Sequence, residues 1–303
     1  MPSSLPPVAV LGLGTIGRGI ARTLQVDGVP LVVWNRTQAR CAPFANAGAT
    51  VAETPSDAAA SADVVLYCLS NADAVEAVVF GADGVLAGIR AGSVAVDLST
   101  VPPSTSRKQA DAYAAQDVAF LDAPVFGSRS EAHDGSLWLV VGGPPDTLER
   151  VRPVFDVIGQ AVHHMGTAPG AGAAMKLCGN LLVASMVEAL SESLLLGAAS
   201  GLDPAAMLDV LDTVDFASPL FKGVGTAMLE RRFDDPSFAL RWMLKDATLI
   251  TQFADAHNVP VPVIDAAQSM LHAAVDDGHG DRDAAALIRA LETRAGRHLN
   301  GDA

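Results

Sequence analysis

The stretch V-A-V-L-G-L-G-T-I-G, from Val8 to Gly17, decides how the first half of this chain folds. Val8 to Leu11 is a short apolar run, and Ile20, Ala21 and Leu24 follow at helical spacing, so the segment reads as strand, glycine turn and helix. Gly12 permits the tight turn. Gly14 lets backbone approach a pyrophosphate, and Gly17 lets helix pack on strand, with phosphate held at the helix N-terminus. Leu13, Thr15 and Ile16 fill the intervening positions and are expected to line the same nucleotide.

The next apolar run, Leu31 to Trp34, ends in Asn35-Arg36-Thr37, where an NAD-specific enzyme usually carries an acidic residue for the ribose hydroxyls. An arginine beside small polar groups suits a 2′-phosphate instead, so NADPH is the expected cofactor, with Asn35, Arg36 and Thr37 around its ribose. Further strands read at Asp63 to Leu69, Ser93 to Asp97, Ala119 to Asp122 and Leu137 to Val141, separated by Ala-rich helical segments. This is an α/β pattern, a doubly wound parallel sheet. Ligands in such sheets sit beyond the carboxyl ends of the strands, which points to Leu69-Ser70-Asn71, Ser99-Thr100 and Pro124 to Ser128.

After His163, His164 and Gly166 the strand pattern stops. The expected division is a nucleotide domain over residues 1–166 and an all-α domain over 167–303. The second part opens with G-A-G-A-A-M-K-L-C-G-N from Gly170 to Asn180, in which Lys176 and Asn180 lie one helical turn apart on an otherwise apolar helix. Lysine is rarely buried without a task. The glycine-rich entry, Pro169 to Gly172, is expected to bring the helix start close to the nucleotide. From Ala171 to about Ala199 the sequence is apolar on nearly every face, which predicts burial on all sides and a homodimer or higher homo-oligomer through the helical domain. Further along, F-A-L-R-W-M-L-K-D-A-T-L reads by spacing alone as an amphipathic helix with an exposed Lys245–Asp246 pair.

Composition excludes several classes of function. A chain of 303 residues that is 50% hydrophobic can bury two cores. A net charge of -14 with no Lys/Arg cluster argues against nucleic acid as a partner. Glu188 and Glu192 interrupt the longest apolar run, so no membrane partner is expected. Cys41, Cys68 and Cys178 have neither metal-ligand nor disulfide-scaffold spacing and read as buried, reduced thiols of a cytoplasmic protein with no metal. No basic residue precedes the Val8 run, which passes straight into the glycine loop, so a cleaved leader is not expected there. Of the seven histidines, His133, His163 and His164 have no partner at a recognisable spacing, and His257, His272, His279 and His298 fall in helical or terminal segments expected to be exposed.

The order of motifs resembles the β-hydroxyacid dehydrogenase family, which includes 3-hydroxyisobutyrate dehydrogenases and the glyoxylate and succinic semialdehyde reductases. The resemblance covers nearly the whole chain: the loop Gly12 to Gly17, D-L-S-T at Asp97 to Thr100, D-A-P-V-F-G-S at Asp122 to Ser128, the lysine helix, and K-D at Lys245 and Asp246. The stretch Ser218 to Gly225, with Phe238, looks closest to the semialdehyde reductase branch. The resemblance implies a Rossmann domain, an all-helical second domain and a substrate site in the cleft between them. It further implies Lys176 as catalytic acid or base and Asn180 as substrate ligand. Thr100, Phe238 and Asp246 would line or brace the site, and Lys245 would touch the cofactor. A small aldehyde or keto acid is the implied substrate, with Gly127 and Ser128 among its ligands. One departure matters: Phe126 stands where family members usually carry a serine that binds the substrate carboxylate. An imine reductase-like enzyme and a non-catalytic NADPH-binding protein are the alternatives.

Hydride transfer to a carbonyl builds negative charge on oxygen, so a proton donor must face that atom. Lysine, with an ordinary pKa of about 10.4, is protonated at neutral pH and suits the reducing direction.

Overall fold

The computed structural model describes residues 5–300. It contains two compact units that meet in sequence at Lys176 and Leu177, inside a long helix rather than ahead of it.

The first unit is a nine-stranded sheet with helices on both faces. Its strands are β1 (Val8–Leu11), β2 (Leu31–Trp34), β3 (Thr50–Val51), β4 (Val64–Tyr67), β5 (Val94–Asp97), β6 (Ala119–Asp122), β7 (Val125–Phe126), β8 (Leu137–Gly142) and β9 (Gly159–Gly166). Strands β1, β4 and β5 are buried at every position, which is why their apolar residues do not alternate with polar ones and only Asp97, at the end of β5, is charged. Alternation reappears in where their side chains go. Val8, Val10, Val64, Leu66, Val94 and Val96 join one core, while Ala9, Leu11, Val65, Tyr67 and Ala95 join the core on the opposite face.

The order β3-β2-β1-β4-β5-β6-β8-β7 runs outward from β1 to β3, then returns to β4 on the other side of β1. That reversal places the Gly12 turn beside the Cys68–Ser70 loop at the carboxyl ends of β1 and β4. The sheet is not parallel throughout, as the sequence pattern suggested. β8 runs antiparallel to β6 and β7, and β9 pairs with it in parallel. The reason is connection length: only the short helix Arg129–Asp134 separates β7 from β8, too little chain for a parallel crossover.

The second unit is helical. Leu177, Ala184, Val187, Leu190 and Leu194 of the long helix Ala171–Ala199 join its core, with residues from the helices Leu240–Ala256, Pro262–Ala274 and Ile288–Ala295. Pro204, Pro219 and Pro262 each open a helix, where a missing N–H costs nothing. Arg231 and the buried Glu292 form a two-pronged ion pair at 2.7 and 2.8 Å. Burial alone would raise the Glu292 pKa, but the Arg231 guanidinium and the Leu299 N–H hold it below its ordinary value.

Three expectations are corrected here. The helix Ala171–Ala199 is not buried on all sides: Leu182, Ala189 and Leu196 form an exposed apolar line at seven-residue intervals, and Leu182 and Leu196 are 60% and 71% exposed. Its length and mean hydropathy of 1.6 reach those of a membrane span despite Glu188 and Glu192, although its inward residues belong to the core of the second unit. Of the cysteines, Cys41 is buried but Cys178 is exposed, because it falls on the outer side of the same helix.

Candidate active site

The glycine turn is shaped for an anion. Gly12 has φ +90°, and any side chain there would strike the Cys68 carbonyl. Gly14, in contrast, has no atom within 4 Å of where a Cβ would stand. It precedes the helix Thr15–Val26, whose first turn has neither a side-chain cap nor an acidic residue. The N–H groups at the start of this helix are therefore not taken by a side-chain cap, and the turn fits the pyrophosphate of a dinucleotide.

Leu13 and Asn35 do something different. The buried Asn35 amide accepts from Leu13 N–H at 2.9 Å and donates to Thr37 C=O at 3.0 Å, which ties the glycine turn to the end of β2. Both ends of the amide are thus engaged within the protein. Arg36 and Thr37 lie exposed just beyond it.

A second brace sits under the neighbouring loops. Ser99 Oγ accepts from Leu69 N–H at 2.9 Å, and Ser99 N–H donates to Asp97 Oδ1 at 2.8 Å. Gln109 donates to Asp97 Oδ2 at 2.8 Å and accepts from the Tyr67 hydroxyl at 2.6 Å. Burial pushes the Asp97 pKa up to about 6 against the pull of the Gln109 and Ser99 hydrogen bonds. Asn71 accepts from Ala74 N–H and caps the following helix. Thr100, half-buried, follows this network directly.

Asp97 ends β5, and its register neighbour Asp122 ends β6. Asp122 accepts from Gly170 N–H at 2.7 Å and Ala173 N–H at 2.8 Å, so it caps the helix that carries Lys176. Burial raises its pKa, opposed by these same N–H groups. A Cβ on Gly172 would strike the backbone oxygens of Val140 and Asp122. The glycine-rich helix entry therefore serves approach to the protein's own sheet, where the sequence suggested approach to a nucleotide.

Lys176 stands one turn inside the helix from Ala173. Its Nζ lies 4.1 Å from the centroid of the Phe126 ring, a cation–π contact. Gly127 follows with φ +110°. Next, Ser128 N–H and Oγ both donate to Glu131 Oε2, at 2.8 and 3.1 Å, and Ser130 Oγ adds a third bond at 3.0 Å. These bonds outweigh burial and hold the Glu131 pKa below its ordinary value. Ser128 is thus the N-cap of the helix Arg129–Asp134 as well as an expected substrate ligand.

In the second unit, Asn180 Nδ2 donates to Asp246 Oδ2 at 2.6 Å. Lys245 Nζ lies 2.9 Å from Asp246 Oδ1, an ion pair without hydrogen-bond alignment. Asp246 is only 4% exposed, so the solvated pair that spacing alone suggests is not formed; the aspartate turns inward and holds the Asn180 amide. Phe238 packs partly buried against the core of this unit. Among the described residues no cluster of His, Cys, Asp or Glu is arranged to hold a metal.

Asp97, Ser99, Gln109, Asp122 and Glu131 were not singled out from sequence for these roles. A signal existed for two of them: Asp97 and Asp122 are each a carboxylate closing an otherwise apolar strand, V-A-V-D and A-F-L-D.

A glycine turn at the switch point of a doubly wound sheet, followed by a helix bearing a lysine, defines an NAD(P)-dependent oxidoreductase acting on CH–OH or C=O groups. Residues 7–166 match the family described as the NAD binding domain of 6-phosphogluconate dehydrogenase. Residues 170–291 match that described as NAD-binding of NADP-dependent 3-hydroxyisobutyrate dehydrogenase. The chain belongs to the 3-hydroxyisobutyrate dehydrogenase-like family of β-hydroxyacid dehydrogenases. It is 36% identical to glyoxylate/succinic semialdehyde reductase 1 of Arabidopsis thaliana over 94% of this chain and 98% of that one. The crystal structure of 3-hydroxyisobutyrate dehydrogenase from Salmonella typhimurium superposes with a TM-score of 0.86 at 28% identity, covering 93% of this chain and 99% of that one. Psf3 in complex with NADP+ and 2-OPP gives a TM-score of 0.85 at 25% identity, covering 94% of this chain and 99% of that one.

Proposed function

We propose that this protein is a cytoplasmic, NADPH-preferring reductase of small carbonyl compounds of the semialdehyde and keto-acid type, with Lys176 as its proton donor. The observation that carries the reading is the mounting of Lys176: a cationic side chain on a helix whose start is fixed to the sheet by Asp122. The exposed Arg36 at the end of β2, with no acidic residue beside it, supports the preference for NADPH.

The bound nicotinamide supplies the hydride. Lys176 Nζ holds a proton toward the carbonyl oxygen and neutralises the charge that grows there. Thr100, Gly127, Ser128 and Asn180 surround the substrate. Asp246 fixes the Asn180 amide through its Nδ2. Lys245, Leu69, Ser70 and Asn71 belong to the cofactor side, and Phe238 to the substrate side.

Oxidation of NADPH and NADH by the purified protein, followed with glyoxylate, succinic semialdehyde and a cyclic imine, tests the reading. Turnover of a carboxylated aldehyde, faster with NADPH, is expected, and Lys176→Ala should lower kcat by about 10²–10⁴-fold while cofactor binding persists. Near-normal turnover by the variant would remove Lys176 from the mechanism, and turnover of the imine alone would move the chain to the imine reductase reading.

The protein is also read as a homodimer or higher homo-oligomer through the helix Ala171–Ala199. The line Leu182, Ala189, Leu196 is a seam of heptad spacing that a second copy of the same line would cover. Sedimentation velocity at micromolar concentration should give at least twice the mass of the chain; a monomer would refute this.

A further inference from the structure

We propose that Phe126 and the Ser128–Glu131 cap make this enzyme discriminate against a carboxylate bonded directly to the reacting carbonyl, and favour carbonyls flanked by hydrogen or a carbon chain. This rests on the reductase reading above and narrows its substrate class: an aldehyde whose carboxylate is distant, as in succinic semialdehyde, over an α-oxo acid such as glyoxylate.

Two observations converge on the atoms beside the proton donor. The first is the ring under Lys176. With Nζ 4.1 Å from its centroid, the Phe126 ring occupies the flank of the donor atom. A carboxylate one bond from the carbonyl carbon stays close to Nζ once the carbonyl oxygen reaches it, so the ring is a surface that it meets on this side of the donor. A phenyl face offers no hydrogen-bond donor, and its negative quadrupole disfavours an anion while it favours the lysine cation.

The second is the turn that follows. Three of its donors already serve a carboxylate of the chain itself: Ser128 N–H, Ser128 Oγ and Ser130 Oγ all converge on Glu131 Oε2. Those bonds keep Glu131 ionised, so an incoming carboxylate meets repulsion from it and competition for these three donors. Displacing Glu131 would break the capping box of the helix Arg129–Asp134 and leave Ser128 N–H to be satisfied anew. A methylene or hydrogen on that flank disturbs neither arrangement.

The test compares kcat/KM for glyoxylate and succinic semialdehyde with NADPH in the wild type, Phe126→Ser and Phe126→Leu, after thermal melting confirms that each variant is folded. Using the change in the ratio between variants cancels the intrinsic reactivity of the two aldehydes. The wild type should favour succinic semialdehyde, Phe126→Leu should keep that preference, and Phe126→Ser should shift the ratio toward glyoxylate by about 10–100-fold. A wild type that favours glyoxylate, or a ratio unmoved by Phe126→Ser, overturns the inference. Turnover of neither aldehyde by any of the three proteins would instead overturn the reductase reading, and this inference with it.

Discussion

Asp122 and Glu188 are both buried carboxylic acids associated with the helix Ala171–Ala199, and they are met in opposite ways. Asp122 sits at the helix start and receives two backbone N–H groups. Glu188 lies within the helix, and neither of its oxygens has a hydrogen-bond partner. Burial raises the pKa of each. For Asp122 the helix N–H groups oppose the rise. For Glu188 burial and then Glu192 push it to about 7, with only the Arg294 charge pulling the other way. Burial alone therefore says little about a carboxylate's task. What separates the two is whether the fold returns hydrogen bonds for the lost water. At the helix start it does, and the beneficiary is the lysine one turn later.

The comparison breaks most visibly at its supported end. Asp122→Ala leaves the N–H groups of Gly170 and Ala173 without their acceptor and loosens the mounting of Lys176. We expect a loss of about 1–3 kcal/mol in stability by chemical denaturation and a fall in kcat of roughly 10–100-fold. Unchanged kcat in a normally melting variant would show that the close packing of Gly172 on the sheet holds the helix by itself.

The unsupported end should respond in the other direction and by less. In the folded protein Glu188 titrates near 7, above the 4.5 of an ordinary glutamate, so it favours the folded state fully only below about pH 4.5. That contribution is lost as pH rises from there through about 7. Glu188→Met removes the penalty, so its melting temperature should exceed that of the wild type by about 2–4 °C at pH 8 and by much less at pH 5. A gain that is equal at both pH values would mean that packing, not charge, explains it.

How much of this was legible in the sequence depends on whether the signal was local. Strands β1, β2 and β6 have the bounds their apolar runs predict, and Gly12, Gly14 and Gly17 fall where a pyrophosphate turn requires them. β3 and β7 are two residues long, and β9 is a partly polar edge strand, so none offers a hydrophobic period to read. Asn35, Ser99 and Ser128 show a different limit. A small polar side chain at a strand end can hold a ligand or hold its own loop, and only the partner tells which. The departure at Phe126 was visible in the sequence, but its place under Lys176 joins positions far apart in the chain. Spacing alone would leave the Lys245–Asp246 pair exposed, because helical periodicity cannot tell an inward aspartate from an outward one when it has a buried amide to orient; the family resemblance points Asp246 to the site instead.

The Asn35 amide bears on any attempt to re-engineer cofactor choice. The natural exchange for an NAD-type site places an acid at the end of β2, and Asn35→Asp is the obvious design. Such a carboxylate could still accept from Leu13 N–H, but it would face the Thr37 carbonyl with no proton to offer, setting two acceptors against each other. A redesign that leaves Asn35 in place and works only through the solvent-facing positions 36 and 37 keeps the loop intact while changing what it greets.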